Sequence, residues 1–287
     1  MCTIFAKKTN SSVLVGRNFD WLQKGGTLHY IPSQRLYGSP TQGLFLIEQM
    51  GVDKPYEGIN ETGLFIGCAA TPIDLNPPMS DEESGKVLKM NELGAIRFVL
   101  ERATTTEEAI KLMDTISLNN SYLDYFLRLH FLIADSEGNI TFYQSGDKTL
   151  FKFLKKGQGD AITNFPKSVN IGNCSRYNTV SKHVDEVDNM ETALKLLEKV
   201  NQDDYTIWSA VFNLNSLEVW LCLENDYNKT YKFSVPDELK KGYSCVDFGT
   251  LRLSTSEVKK QFASHPYELA GSKWVHCLDT LISNKGK

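Results

Sequence analysis

The N-terminal stretch 1–21, MCTIFAKKTNSSVLVGRNFDW, decides how the rest of the chain is read. Two apolar runs, 2–6 and 13–17, flank the polar turn Thr9-Asn10-Ser11-Ser12, which is the pattern of two antiparallel strands. In such a hairpin the numbers of paired residues sum to a constant, so Cys2 falls opposite a residue between 17 and 19. A slip of one residue would exchange the two faces. Either register brings Arg17, Asn18, Phe19 and Asp20 beside the start of the chain. Removal of Met1 would leave Cys2 with a thiol and a free α-amine on one residue.

A thiol attacks as its thiolate, and an ordinary cysteine has a pKa near ~8.5 that nearby positive charge lowers. Arg17 could supply that charge. An α-amine titrates at about 7.7–8.0, so part of it is neutral at neutral pH and able to take a proton. A terminal amine acting as base for its own side chain is one route to an activated nucleophile. Asp20 could hydrogen-bond and orient that amine. The plainer alternative also fits these residues: an incidental Met-Cys start and a solvated Arg17–Asp20 pair, which contributes little.

Totals bound the function. The chain has 287 residues, 41% of them hydrophobic, enough for a full core and for one large domain or two small ones. A net charge of −4 without a Lys/Arg block argues against nucleic acid as partner. No apolar run approaches the roughly 20 residues of a membrane span. Lys7 and Lys8 interrupt the N-terminus too early for a signal peptide, so a cytoplasmic location is expected. Six scattered cysteines without a CxxC read as reduced thiols, and five scattered histidines give no metal-ligand spacing. No metal or cofactor is expected.

Further along, 24–42 reads as loop or short strand and Leu44–Gln49 as a strand. Asn60–Gly63 reads as a tight turn into a small-residue strand over 64–70, where a backbone or ligand could approach closely. Residues 71–88, with three prolines and the acidic Asp81–Glu83, read as an exposed loop. Helices are expected over Asn91–Ala103, after a capping box of Thr104 with Glu107, and over Met190–Val200. Leu127–Ala134 with Asn139–Gln144, and Thr206–Phe212 with Leu217–Leu223, read as hairpins. Leu150–Leu154, a short stretch ending at Pro166, and Tyr231–Val235 add strand candidates. Residues 236–287 carry no readable pattern, and no linker divides the chain. Strands, helices, strands, helix, strands is the order of one α+β domain spanning 1–287.

Several motifs, in order along the chain, carry a resemblance. They are Met-Cys-Thr, Gly16-Arg17-Asn18-Phe19-Asp20-Trp21, Asn60-Glu61-Thr62-Gly63-Leu64, His130-Phe131-Leu132-Ile133-Ala134-Asp135, Thr163-Asn164-Phe165-Pro166 and Ser175-Arg176. Together they resemble the N-terminal-nucleophile hydrolases of the choloylglycine hydrolase and penicillin V acylase superfamily. The acyl-coenzyme A:6-aminopenicillanic acid acyltransferase branch is similar as well. The resemblance implies a four-layer αββα sandwich. It implies Cys2 as nucleophile, Arg17 and Asp20 as the pair that positions the amine and tunes the thiol, and Arg176 as part of the polar network. It implies an oxyanion hole from the Asn164 side-chain amide and the backbone N–H of Ala70.

Two departures narrow what the resemblance implies. Ala70 stands where the bile-salt enzymes have asparagine, which puts bile-salt specificity in doubt. Only nine residues separate Pro166 from Arg176, without the insertion those enzymes use in tetramer assembly. The expected activity is hydrolysis of a small-molecule N-acyl amide through a thioester, after a methionine aminopeptidase removes Met1. Transfer of the acyl group to an amine, a papain-like pairing of an internal cysteine with His130, and a non-catalytic binding domain are the rival readings. Homo-oligomerisation is left open. Trp21 is a substrate-contact candidate, and Tyr122, Tyr125 and Phe126 read better as packing than as an acyl pocket.

Overall fold

The computed structural model describes residues 2–36, 39–72, 88–119, 127–144, 150–167 and 174–253. Cys277, the acidic Asp81–Glu83 and the aromatics Tyr122, Tyr125 and Phe126 lie outside the described residues.

In chain order the strands are β1 (Cys2–Lys8), β2 (Val13–Asp20), β3 (Thr27–Ile31), β4 (Arg35–Leu36), β5 (Ser39–Pro40), β6 (Leu44–Glu48), β7 (Glu57–Asn60), β8 (Phe65–Pro72), β9 (Leu88–Asn91), β10 (Ile116–Asn119), β11 (Leu127–Ala134), β12 (Asn139–Tyr143), β13 (Leu150–Phe153), β14 (Gly159–Ile162), β15 (Thr206–Asn213), β16 (Glu218–Leu223), β17 (Tyr231–Ser234) and β18 (Ser244–Asp247). The helices are α1 (Glu92–Leu100), α2 (Thr106–Asp114), α3 (Ser175–His183), α4 (Met190–Lys199), α5 (Val235–Leu239) and α6 (Phe248–Arg252). Of the two large sheets, one runs β14-β1-β2-β15-β16-β17 and the other β13-β12-β11-β8-β7-β6-β3-β18, while β9 with β10 and β4 with β5 form separate two-stranded pairs. Pairing within both large sheets is antiparallel.

The sheets face each other, with α3 and α4 outside the first and α1 and α2 outside the second. This is the expected αββα order. Its cause shows in β1 and β2, where side chains alternate between two cores. Cys2, Ile4, Ala6, Val13, Val15 and Phe19 pack toward the second sheet, and Phe5 and Leu14 pack under the helices. Strands covered on both faces are apolar on both, and all eight residues of β2 are buried. Helix α4 seals the outer face with Ala193 and Leu197, and full burial of a leucine is worth about 1.5–3 kcal/mol.

The first hairpin forms with Cys2 opposite Phe19, inside the expected window. Its turn is pinned by Thr9, whose hydroxyl accepts from the backbone N–H of Ser11 (3.2 Å) and Ser12 (3.0 Å). The motif beginning at Asn60 closes the β7–β8 turn. Asn60 Oδ1 accepts from Leu64 N at 3.0 Å, and Gly63 adopts φ +85°, a conformation that favours glycine.

The structure also corrects several expectations. β2 runs on to Asp20, so the charged cluster lies within the strand. Thr71, Pro72 and Leu88 belong to strands, not to the loop between them. The cap before α2 is Thr105, which accepts from Glu108 N, while Thr104 donates to the Glu108 carboxylate. Residues 236–253, unreadable in sequence, supply part of α5, β18 at the edge beside β3, and α6. Helix α3 gave no signal because it buries only Val180 and so has no apolar stripe.

Candidate functional site

Strand periodicity puts Cys2, Ile4, Arg17 and Phe19 on one face of the first sheet. Arg17 is wholly buried there. Its NH2 lies 3.7 Å from Cys2 Sγ, and its NH1 donates to the carbonyls of Cys68 (2.7 Å) and Tyr56 (3.4 Å). Its Nε stands 2.8 Å from Glu57 Oε2, both side chains fully buried, in a charge contact without the alignment of a hydrogen bond. The opposing carboxylate keeps the guanidinium protonated and raises its pKa in spite of burial. Burial conversely pushes the Glu57 carboxyl upward, against the pull of Arg17. Gly67 makes room for this arrangement, since a Cβ there would stand 3.3 Å from Arg17 NH1 and 2.7 Å from the Phe65 ring.

Asn164 reaches the same place from the segment after β14. Its Oδ1 accepts from Cys2 N at 2.6 Å and from Arg176 NH2 at 3.1 Å. Its Nδ2 donates to the Ala70 carbonyl at 2.7 Å. An amide nitrogen carries two hydrogens, so the second remains available to an oxyanion. Past Gly67, β8 has no pairing to β7, and Cys68 and Ala70 turn their backbone groups away from β11 toward Arg17 and Asn164. In an antiparallel strand the N–H and C=O of a residue point the same way, so the Ala70 N–H faces the site as its carbonyl does.

Arg176, in the first turn of α3, donates from NH1 to Cys2 O (2.6 Å) and Thr3 Oγ1 (2.9 Å). The same nitrogen lies 3.7 Å from Asp20 Oδ2. Asp20 falls on the opposite face of β2 from Arg17 and accepts from Thr206 Oγ1 (2.6 Å) and Gln202 Nε2 (2.5 Å). The structure therefore gathers Cys2, Arg17, Asn164, Arg176 and the Ala70 backbone around one residue, with Asp20 joined through Arg176. Neither Arg17 nor Asp20 is a solvated charge, since both are 0% exposed.

The thiol opens on a small, almost wholly apolar pocket walled by Phe19, Trp21, Tyr56, Cys68, Ala70 and Leu129. Trp21 is half-buried in that wall. His130 is 2% exposed and bonds the Thr163 carbonyl through Nε2 at 2.6 Å. Burial holds it neutral, its pKa lowered to about 4. It braces the segment that carries Asn164, and the Cys2 nitrogen is held by Asn164 instead. Glu57 is a member of the site that no motif in the sequence singled out. The available signal was a carboxylate in a strand pattern otherwise expected to be buried. Among the described residues no group of three or more His, Cys, Asp or Glu is placed to hold a metal ion. No helix among them is long and apolar enough to cross a membrane.

Residues 6–228 match the family model of the acyl-coenzyme A:6-aminopenicillanic acid acyl-transferases. Among solved structures, the chain is similar to the C2A mutant of the conjugated bile acid hydrolase from Clostridium perfringens. That match has a TM-score of 0.66 and 15% identity, over 86% of this chain and 96% of that one. Penicillin V acylase from Agrobacterium tumefaciens gives a TM-score of 0.59 at 15% identity, over 88% of this chain and 94% of that one. The Caenorhabditis elegans ortholog of N-acylethanolamine-hydrolyzing acid amidase gives 0.52 at 15% identity, over 81% of this chain and all of that one. No curated protein matches the chain by sequence. These likenesses establish that the fold is that of the N-terminal-nucleophile hydrolases.

Proposed function

The chain belongs to the acyl-coenzyme A:6-aminopenicillanic acid acyl-transferase family, and on that premise we propose that it cleaves linear amides through Cys2. The supporting observation is the pair of contacts on that residue, Asn164 Oδ1 on its nitrogen and Arg17 NH2 on its sulfur, at the mouth of an apolar cavity.

Removal of Met1 converts the Cys2 nitrogen into an α-amine. The amine takes the thiol proton as sulfur adds to the acyl carbonyl carbon. The oxyanion is received by the second Nδ2 hydrogen of Asn164 and the Ala70 N–H. The amine returns the proton to the leaving nitrogen, the C–N bond breaks, and a thioester remains. Water, deprotonated by the same amine, attacks the thioester carbonyl; sulfur leaves with the proton and the acid is released. Arg176 fixes the Cys2 carbonyl and the Thr3 hydroxyl, and Arg17 sets a guanidinium nitrogen beside the sulfur. The apolar wall suits an uncharged acyl group.

The family description supports a second reading, in which an amine rather than water takes the acyl group from the thioester. A panel of N-acyl amides, assayed for released amine with and without an acceptor amine, tests both readings. The Met1-free protein is expected to release amine from at least one apolar acyl amide, and formation of a new amide with the acceptor would select transfer. Full activity in protein that retains Met1 would sink the mechanism. An inert Cys2 thiol would leave a binding domain that kept the fold.

A further inference from the structure

Glu57 has no part in these steps, yet its carboxylate is wholly buried against the guanidinium that faces the thiol. We propose that Glu57 is a positioning residue that holds Arg17 toward Cys2 and tempers the positive charge the sulfur experiences. This rests on the nucleophilic role given to Cys2 above.

The guanidinium is a rigid plane, so fixing two of its nitrogens fixes the third. Glu57 holds Nε and the Cys68 carbonyl holds NH1, which leaves NH2 aimed at Sγ. Glu57 is itself held, because Trp208 Nε1 donates to its Oε1 at 2.5 Å. Trp208 stacks on Phe19 with centroids 3.9 Å apart, and Phe19 is the register partner of Cys2. The carboxylate thus comes from β7 of one sheet but is clamped by β15 and β2 of the other. Backbone carbonyls alone could satisfy the Arg17 hydrogens. A carboxylate adds an opposing charge at Nε of the guanidinium whose NH2 faces sulfur.

The other titratable groups around the thiol leave this charge as the adjustable one. Burial raises the pKa of Tyr56 and of Cys68, so both are neutral at neutral pH. Asp20 and Arg176 form a second pair of opposite sign, 3.7 Å apart, and Arg176 is bonded to Cys2 itself. A cation beside a thiol lowers its pKa, and an anion paired with that cation restores part of the loss.

Glu57→Gln keeps the shape and an acceptor oxygen while removing the charge. The measurement is the pH dependence of iodoacetamide alkylation of Cys2 in Met1-free protein. Mass spectrometry of the N-terminal peptide reads it, so other cysteines do not contribute. The apparent thiol pKa is expected to fall by about one unit in Glu57→Gln, and Glu57→Asp is expected to return most of that shift. An unchanged or raised pKa in folded Glu57→Gln overturns the proposal. If Glu57→Gln does not fold, Trp208→Phe replaces it. Losing the indole donor lets the buried carboxyl take up a proton more readily, and a shift in the same direction of about half a unit is expected. An unchanged profile there also overturns the proposal. Alkylation needs no turnover, so the two ideas fail separately. Turnover in Cys2→Ala would remove the nucleophile and leave the Glu57 shift to be judged by itself.

Discussion

Two cysteines meet one guanidinium in different ways, and the proposed mechanism uses only one of them. Cys2 and Cys68 are both buried, at 5% and 1% exposure, and both wall the same cavity. Arg17 offers NH2 to the sulfur of Cys2 and NH1 to the carbonyl of Cys68. The Cys68 thiol donates to the Tyr56 carbonyl at 3.3 Å, and burial drives its pKa well above the ordinary thiol range. The Cys68 nitrogen is a strand peptide that also bonds Tyr56 O, at 3.1 Å. The Cys2 nitrogen sits at the chain start against Asn164. The contrast teaches that one guanidinium can serve two cysteines differently, meeting the sulfur of Cys2 but the backbone carbonyl of Cys68.

Exchanging the two sulfurs tests this difference most severely. Cys2→Ser is expected to reduce amide turnover to background, whereas Cys68→Ser, whose hydroxyl can still donate to Tyr56 O, should keep turnover within a few-fold. Steady-state rates on whichever amide proves active decide it, and equal losses would erase the distinction. Asn164 is the partner that Cys68 lacks. Asn164→Ala is expected to lower kcat by about 10²–10³, the usual cost of one oxyanion donor. An unaffected kcat would remove Asn164 from the site chemistry.

The smallest effect concerns His130, which braces the Asn164 segment. Its folded pKa of about 4 lies below the ordinary 6.5, so the unfolded chain binds more protons between those values. Stability contributed by the neutral imidazole is present above pH 6.5 and is lost as pH falls toward 4. The full loss is about 3 kcal/mol at ~1.4 kcal/mol per unit. Denaturant unfolding of the wild type and His130→Phe across this range measures it. A pH slope that is the same in both would show that His130 does not titrate on unfolding.

How much was legible varied with distance along the chain. A short turn and two apolar runs put Cys2 opposite residues 17–19, and the structure selects Phe19, which places Arg17 on the Cys2 face. The two-residue period puts Asp20 on the other face, toward Arg176 and Gln202, which a bare proximity argument overlooked. Asn164, Arg176 and Ala70 were legible only through the resemblance. No periodicity near residue 164 or 176 points to residue 2. Helix α3 was invisible because it buries a single apolar side chain, and β18 because four residues without alternation resemble loop.

The sequence by itself determined the hairpin at the front, the two-sided apolar strands that demand cover on both faces, and the family. These depend on spacing between near neighbours, which strand geometry converts directly into faces and partners. Tertiary structure decided that Glu57 meets Arg17, that Trp208 clamps Glu57, and that Asn164 takes the Cys2 nitrogen. Each of these contacts joins segments at least 40 residues apart in the chain. Whether a charge finds its counter-charge over such a separation depends on which strands become neighbours and how the two sheets face each other, and local pattern does not encode that.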